Sequence, residues 1–148
     1  MNSMEKKLCM NVKGIVAIEF AIVLPVLALL ICGIIEFSVL LYDKAMITNA
    51  SREGARRGIV YNYDTVNDVN HPIDSEIESA VLTYCQDRLI TFGGDSELAT
   101  TISRTGDETG DDLTVRVTYH YDYLLIPGFI AQLAGGIDLV AQTVMRME

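Results

Sequence analysis

Gly14 and Glu19 stand five residues apart in "KGIVAIEFAIVLP", Lys13 to Pro25, at the head of an otherwise apolar run. A carboxylate inside hydrocarbon costs about 2.5 to 3.5 kcal/mol at mid-helix, so such a residue is usually turned toward a partner. A glycine at the same place leaves a backbone open to close approach. The pair therefore raises two chemistries: cleavage of the chain beside the glycine, and pairing of the carboxylate with a cation.

Other side chains offer less. His71 and His120 are not near a cysteine or a signature serine in sequence, and no H-E-x-x-H, G-x-S-x-G or phosphate-loop pattern occurs. The acidic loop Asp107, Glu108, Asp111 and Asp112 lacks the alternating ligand spacing of an EF-hand and reads as a solvated turn. His120 falls on the polar side of a strand, and the strand tyrosines read as packing residues. No cofactor or metal is expected, and an enzyme is the last of the function classes.

The elements around Gly14 and Glu19 are set by hydropathy and charge. From Ile15 to Ile35 the 21 residues include one charge, Glu19, which is enough helix to cross a hydrocarbon core of about 30 Å. The leader, with Lys6, Lys7 and Lys13 against Glu5, sums to +2, and the rest of the chain to −11 of the total −9. Lysines before the run, and only Lys44 as a basic residue between it and Arg52, set the N-terminus inside and the remainder outside. The acidic remainder argues against nucleic acid and anionic membrane surfaces as partners. A cleaved secretory signal fits poorly, because its apolar region is shorter and closes on small residues, whereas this run ends in Ile34-Ile35-Glu36-Phe37. Cys9 precedes the run and is no lipoprotein cysteine. With Cys9, Cys32 and Cys85 falling inside, within and outside the membrane, no internal disulfide is expected, and Cys85 reads as a small core residue.

Beyond the membrane the helical period continues. Ile47, Ala50, Ser51, Gly54, Ala55 and Gly58 recur at three- and four-residue intervals as one stripe of mostly small side chains. Glu53 is placed to pair with Arg56 or Arg57. One helix from about Ile15 to about Gly58 is expected, roughly 66 Å long, with Pro25 as a possible kink. Residues 61–71 read as a loop. A second helix is expected from Pro72 to about Ile90, with Ser75 and Glu78 as a capping box and Gly93-Gly94 as its stop. Three strands follow: Leu98 to Arg104, then Leu113 to Tyr123 in strict alternation, then, after a short apolar helical turn past Pro127-Gly128, a strand from Ile137 to the end. The first two form a hairpin, and the small-residue stripe is the expected cover of one sheet face. The fold class is α+β: a long N-terminal transmembrane helix projecting into a small head with a second helix and a three-stranded antiparallel sheet.

A short basic leader, Gly14, then "IVAIEF" and an unbroken apolar helix resemble the processing site of type IV prepilins. The resemblance implies a cut between Gly14 and Ile15 by a prepilin peptidase, with Glu19 and the adjoining Phe20 in the assembly role. Cleavage creates an α-amine of reference pKa about 7.7 to 8.0 at the bilayer edge, which a neighbouring subunit's Glu19 can pair. The plainer reading is that Glu19 complements a helix N-terminus, worth about 0.3 to 1 kcal/mol. More narrowly, "AIEFAIVLPVLALLICGIIEF", "ASREGARRG", "VRVTYHYDY", "LIPG" and "VMRME" look like the TadE-like proteins of bacterial tight-adherence (Tad) pilus systems.

That likeness implies a pseudopilin or minor pilin, since this chain is longer than major Flp pilins. Its implied partners are the prepilin peptidase, a sister pseudopilin, Flp pilin subunits, the inner-membrane platform of the Tad machine and membrane lipid. It implies an organisation of 1–14 leader, removed; 15–36 transmembrane helix; 37–60 outer half of the long helix; and 61–148 external head. The implied location is the cytoplasmic membrane with the head in the periplasm, or the pilus itself. Ala50, Gly54, Ala55 and Gly58 are the expected packing residues of the helix. The competing class is an unprocessed, membrane-anchored binding module whose acidic head takes a surface ligand.

Overall fold

A computed structural model describes residues 3–60, 72–91, 98–106, 108–125 and 135–147, with side chains from Gly14 onward. Helix α1 runs from Ser3 to Gly58 without a break, 56 residues with Pro25 inside it, or about 84 Å. It begins earlier than the hydropathy pattern suggested, since the leader also adopts helix. Helix α2 is Asp74–Cys85. Strands β1 (Leu98–Arg104), β2 (Asp112–Tyr121) and β3 (Ile137–Arg146) form one antiparallel sheet in the order β1-β2-β3. The α+β class, the long helix, the second helix and the three-stranded sheet are as the sequence indicated.

Alternation in β2 is what fixes the layers. Leu113, Val115, Val117, Tyr119 and Tyr121 are buried, while Arg116 and His120 are exposed on the other face. Period-two patterning of this kind needs cover on one side only. The cover is α1 over β2 and β3, and α2 beside it over β1. Pairing of Leu113 with Met145 and of Tyr121 with Ile137 sets the register. Gly58 abuts Leu113 and Glu36 bonds Tyr121, so α1 runs antiparallel to β2, with the Tyr121–Ile137 end of the sheet nearest the apolar half of the helix.

Three local expectations are corrected. Helix α2 starts at Asp74 with Ile73 as its N-cap and no side-chain cap, so Ser75 lies within the first turn and forms no capping box with Glu78. Arg104, at the end of β1, bonds Asp74 and donates to the Pro72 carbonyl at 3.0 Å, anchoring the start of the helix instead. The helix stops at Cys85, short of Ile90. Its final residues give way to turns closed by the Arg88 and Leu89 amides on the Cys85 carbonyl, at 3.0 and 3.1 Å, with Arg88 stacked 4.4 Å from the Tyr84 ring centroid. Strand β2 ends at Tyr121 rather than Tyr123, whose ring meets Tyr121 edge-on at 6.3 Å. The loop at 61–71, Gly93-Gly94 and the turn after Pro127 lie outside the described residues.

Candidate assembly helix and its seat on the head

The two halves of α1 have opposite surroundings. Every side chain from Gly14 to Ile31 is exposed, and the helix is long and apolar enough to cross a membrane. From Glu36 onward one face is buried: Glu36, Asp43, Ile47, Ala50, Ser51, Gly54, Ala55 and Gly58. Each of these positions lies three, four or seven residues from another of them, which is the helical repeat.

In the free half, Ile15 is 61% and Phe20 63% exposed, and Glu19 is exposed beside Phe20. Ile15 and Glu19, four residues apart, share a face, as the helical repeat requires. A Cβ on Gly14 would meet nothing within 4 Å. Packing within the chain thus gives no reason for glycine there, while its backbone freedom weakens a helix by about 0.5 to 1 kcal/mol relative to alanine. Glu19 lies more than four turns into α1. It is therefore too far from the N-terminus of this helix to serve the dipole, an effect confined to the first turn.

The packed half shows why the stripe is small. A Cβ on Gly54 would come to 2.7 Å from Val81 Cγ2, 3.4 Å from Ile77 Cγ2 and 3.5 Å from Val115 Cγ1. One on Gly58 would meet Leu113 Cδ2 at 2.5 Å and Ile77 Cδ1 at 2.6 Å. The closest approach at Gly54 is thus to α2, with the sheet behind it. Ala50 and Ala55 are fully buried in the same core as Ile77, Val81, Cys85, Leu113, Val115 and Val117. Ser51 Oγ shares a 2.8 Å hydrogen bond with Thr143 Oγ1 on β3, and Lys44 donates to the Val140 carbonyl of that strand. On the exposed side Glu53 accepts from Arg56 Nε and Nη2 at 3.1 and 3.0 Å and from Arg57 Nε at 3.4 Å. The Arg56 hydrogen bond chiefly holds its carboxyl below the usual range.

Sequence reasoning missed two carboxylates on this same face. Glu36 Oε1 accepts from Tyr121 OH at 2.7 Å and from the Leu124 amide at 2.9 Å, and Oε2 from the Leu125 amide at 2.7 Å. Burial first, and then the Glu36 carboxylate, push the Tyr121 phenol well above its ordinary pKa. Asp43 Oδ1 accepts from the Ile90 amide at 3.0 Å. Its Oδ2 is buried with no hydrogen-bond partner among the described residues, and burial pushes this carboxyl up from its ordinary value. The signal was available: Glu36 and Asp43 are seven apart and continue the repeat that runs through Ile47.

On the sheet's outer face His120 is exposed, as its place on the polar side of β2 implies, with Nδ1 2.6 Å from Asp138 Oδ1 and Nε2 3.6 Å from Asp122 Oδ1. In the hairpin loop the Asp111 carboxylate accepts from the Glu108 amide at 3.1 Å, closing a turn. Among the described residues no three His, Cys, Asp or Glu side chains gather as a metal site.

No curated protein and no solved structure matches this chain. The sequence model of the TadE-like protein family matches residues 14–56. That match opens on Gly14, crosses the exposed apolar half and covers nearly all of the packed stripe, leaving the sheet and α2 unmatched. Over residues 14–56, then, the chain is similar to the TadE-like proteins.

Proposed function

We propose that the chain is a peptidase-processed pseudopilin, or minor pilin, of a Tad-type pilus. A role with the Tad pilus machinery is what the TadE-like match supports, and the finer assignment rests on how α1 is divided. One half of the helix is apolar and packs on nothing in the head, and the other is locked to a folded head by three amide and phenol hydrogen bonds on Glu36 and by the small-residue stripe. That is a subunit whose anchor is free to leave lipid for contact with other helices while its head stays intact.

In this reading residues 1–14 are removed in the cytoplasm, 15–36 cross the inner membrane, 37–60 carry the head and 61–148 complete it outside. Gly14 marks the cut because a helix interrupted there extends most readily into a protease site. The new α-amine of Ile15 then lies on the same face as Glu19, one turn away. A neighbouring subunit entering the assembly satisfies one with the other, replacing two costly desolvated charges by a pair. The role is structural rather than enzymatic, with the prepilin peptidase, a sister pseudopilin, Flp pilin and the membrane platform as partners.

The observation that carries this proposal is the start of the family match at Gly14, immediately before a free helix bearing Glu19. Glu19→Ala tests it. The variant should insert and be trimmed normally, since it removes a charge from an apolar run, yet fail to support pilus assembly in cells lacking the native chain. Full piliation with trimmed Glu19→Ala protein would refute the assembly role.

A further inference from the structure

The transmembrane run does not end cleanly at Glu36. On the side of α1 away from the head, Phe37, Leu41 and Tyr42 remain exposed. The rise from Glu36 to Tyr42 is about 9 Å, close to the headgroup layer of roughly 5 to 8 Å on each side of a bilayer. On the head side, at the same level, Leu125 is 45% and Ile137 40% exposed. Their level is fixed by two contacts: Glu36 holds the Leu124 and Leu125 amides, and Ile137 pairs with Tyr121, whose hydroxyl also bonds Glu36. The sequence from Tyr123 to Ile137 has no charged residue.

We propose that this end of the head is a second membrane contact, in which Leu125 and Ile137 rest in the outer headgroup layer beside Phe37, Leu41 and Tyr42. The partner is a phospholipid surface. Continuity with the exposed apolar helix is the argument: a bilayer that covers Ile35 reaches the next residues along the axis, and these include both the helix face and the head's lower edge. Glu36 fits the position, because both its oxygens already accept hydrogen bonds from the protein and little water is needed to satisfy them.

Depth and lipid type are bounded by the neighbouring charges. Asp122 and Asp138, exposed on either side of His120, stay at the water boundary and disfavour anionic headgroups, so the contact is shallow and suited to zwitterionic lipid. The head is thereby held at two points, and the tilt of α1 is set by the protein as well as by the bilayer.

The inference rests on membrane insertion of α1 and not on its processing. The chain contains no tryptophan, so single reporters can be placed in the full chain reconstituted in phosphatidylcholine vesicles, with brominated acyl chains or aqueous iodide as quencher. Leu29→Trp reports the span, Leu125→Trp and Ile137→Trp the proposed contact, and Val144→Trp, 53% exposed toward the far end of β3, the distal head. Leu125→Trp and Ile137→Trp should lose most of their emission to brominated lipid and little to iodide, as Leu29→Trp does, with Val144→Trp behaving oppositely. Iodide quenching at both contact reporters while Leu29→Trp is quenched by lipid overturns the second contact and leaves insertion standing. Shielding from both quenchers places protein there and overturns it equally. A Leu29→Trp reporter open to iodide removes the insertion on which both readings depend.

Discussion

Glu36 and Tyr121, 85 residues apart in the chain, meet in a buried 2.7 Å hydrogen bond in which the phenol donates to the carboxylate. The same carboxylate caps the Leu124 and Leu125 amides, so one side chain ties the end of the exposed apolar half of α1 to the end of β2. Removing it strands three donors, each costing about 1 to 3 kcal/mol if left buried and unpaired, against a total stability of about 5 kcal/mol for a small domain. Glu36→Ala should therefore make the head protease-sensitive in membranes while the span stays inserted. Glu36→Gln, which keeps one acceptor but turns an NH2 toward an amide, should fall between. Limited proteolysis at neutral pH is the check, and wild-type resistance of the alanine variant would contradict the account.

The small stripe gives a second expectation. Gly54→Ala places a methyl 2.7 Å from Val81 Cγ2, and Gly58→Ala places one between Leu113 and Ile77, so the helix propensity gained is outweighed by overpacking of about 1 to 3 kcal/mol. Gly54→Leu should be worse. Gly33→Ala, with nothing within 4 Å of the added carbon, should be neutral or favourable by up to about 1 kcal/mol. Urea midpoints of the detergent-solubilised variants, read by loss of the head's signal, separate these cases. Equal midpoints for Gly33→Ala and Gly58→Ala would mean that the stripe is not the seat of the head.

Much of this was legible in advance because it depends on period alone. Ile47 to Gly58 repeats every three or four residues and is buried as that repeat requires. Leu113 to Tyr121 alternates, and its apolar members face inward. What escaped depends on contacts between distant segments. Ser75 and Glu78 have capping-box spacing, but Arg104 anchors Pro72 and Asp74 from another element and the helix starts before Ser75. Glu36 looked like the boundary of a greasy run because its partners lie far along the chain, at the end of β2 and just past it. At Gly54 the stripe revealed a close approach, but not that α2 would supply the nearest atom. Glycine there is a matter of space, so alanine is not the improvement that helix propensity alone would suggest.

Asp43 should make the head's stability depend on pH. Burial raises its folded-state pKa above the ordinary value of an aspartate, so between the unfolded and folded values the native state binds more protons than the unfolded chain. Stability attributable to this group therefore falls as pH rises through that window and is recovered on acidification toward the unfolded value. Asp43→Asn retains an acceptor for the Ile90 amide and removes the charge, so it should match or exceed the wild type near neutral pH and flatten this part of the pH profile. Asp43→Ala leaves the Ile90 amide unpaired and should cost about 1 to 3 kcal/mol. Urea midpoints across the acidic range are the measurement, and an unchanged slope in Asp43→Asn would assign the response to another group.

Cys85 should act as a built-in reporter of the head's integrity. Burial pushes its thiol up to about 11, a shift only partly offset by Arg88, and its side chain is packed in the core. At pH 8 it should resist a membrane-impermeant maleimide until the head unfolds, because the thiolate is the reactive form. Rapid labelling of the folded protein would contradict the core position. Labelling that appears first in Glu36→Ala and Gly58→Ala would link the three sites in one unit.

A processed pseudopilin must be cut after Gly14, and the product must be the working subunit. The direct measurement is the intact mass and N-terminal sequence of the protein extracted from membranes of cells that contain the prepilin peptidase, alongside Gly14→Leu. The native chain should start at Ile15, and the Gly14→Leu chain should keep its leader. A native chain that still starts at Met1, or Gly14→Leu trimmed like the wild type, would contradict the proposed cut.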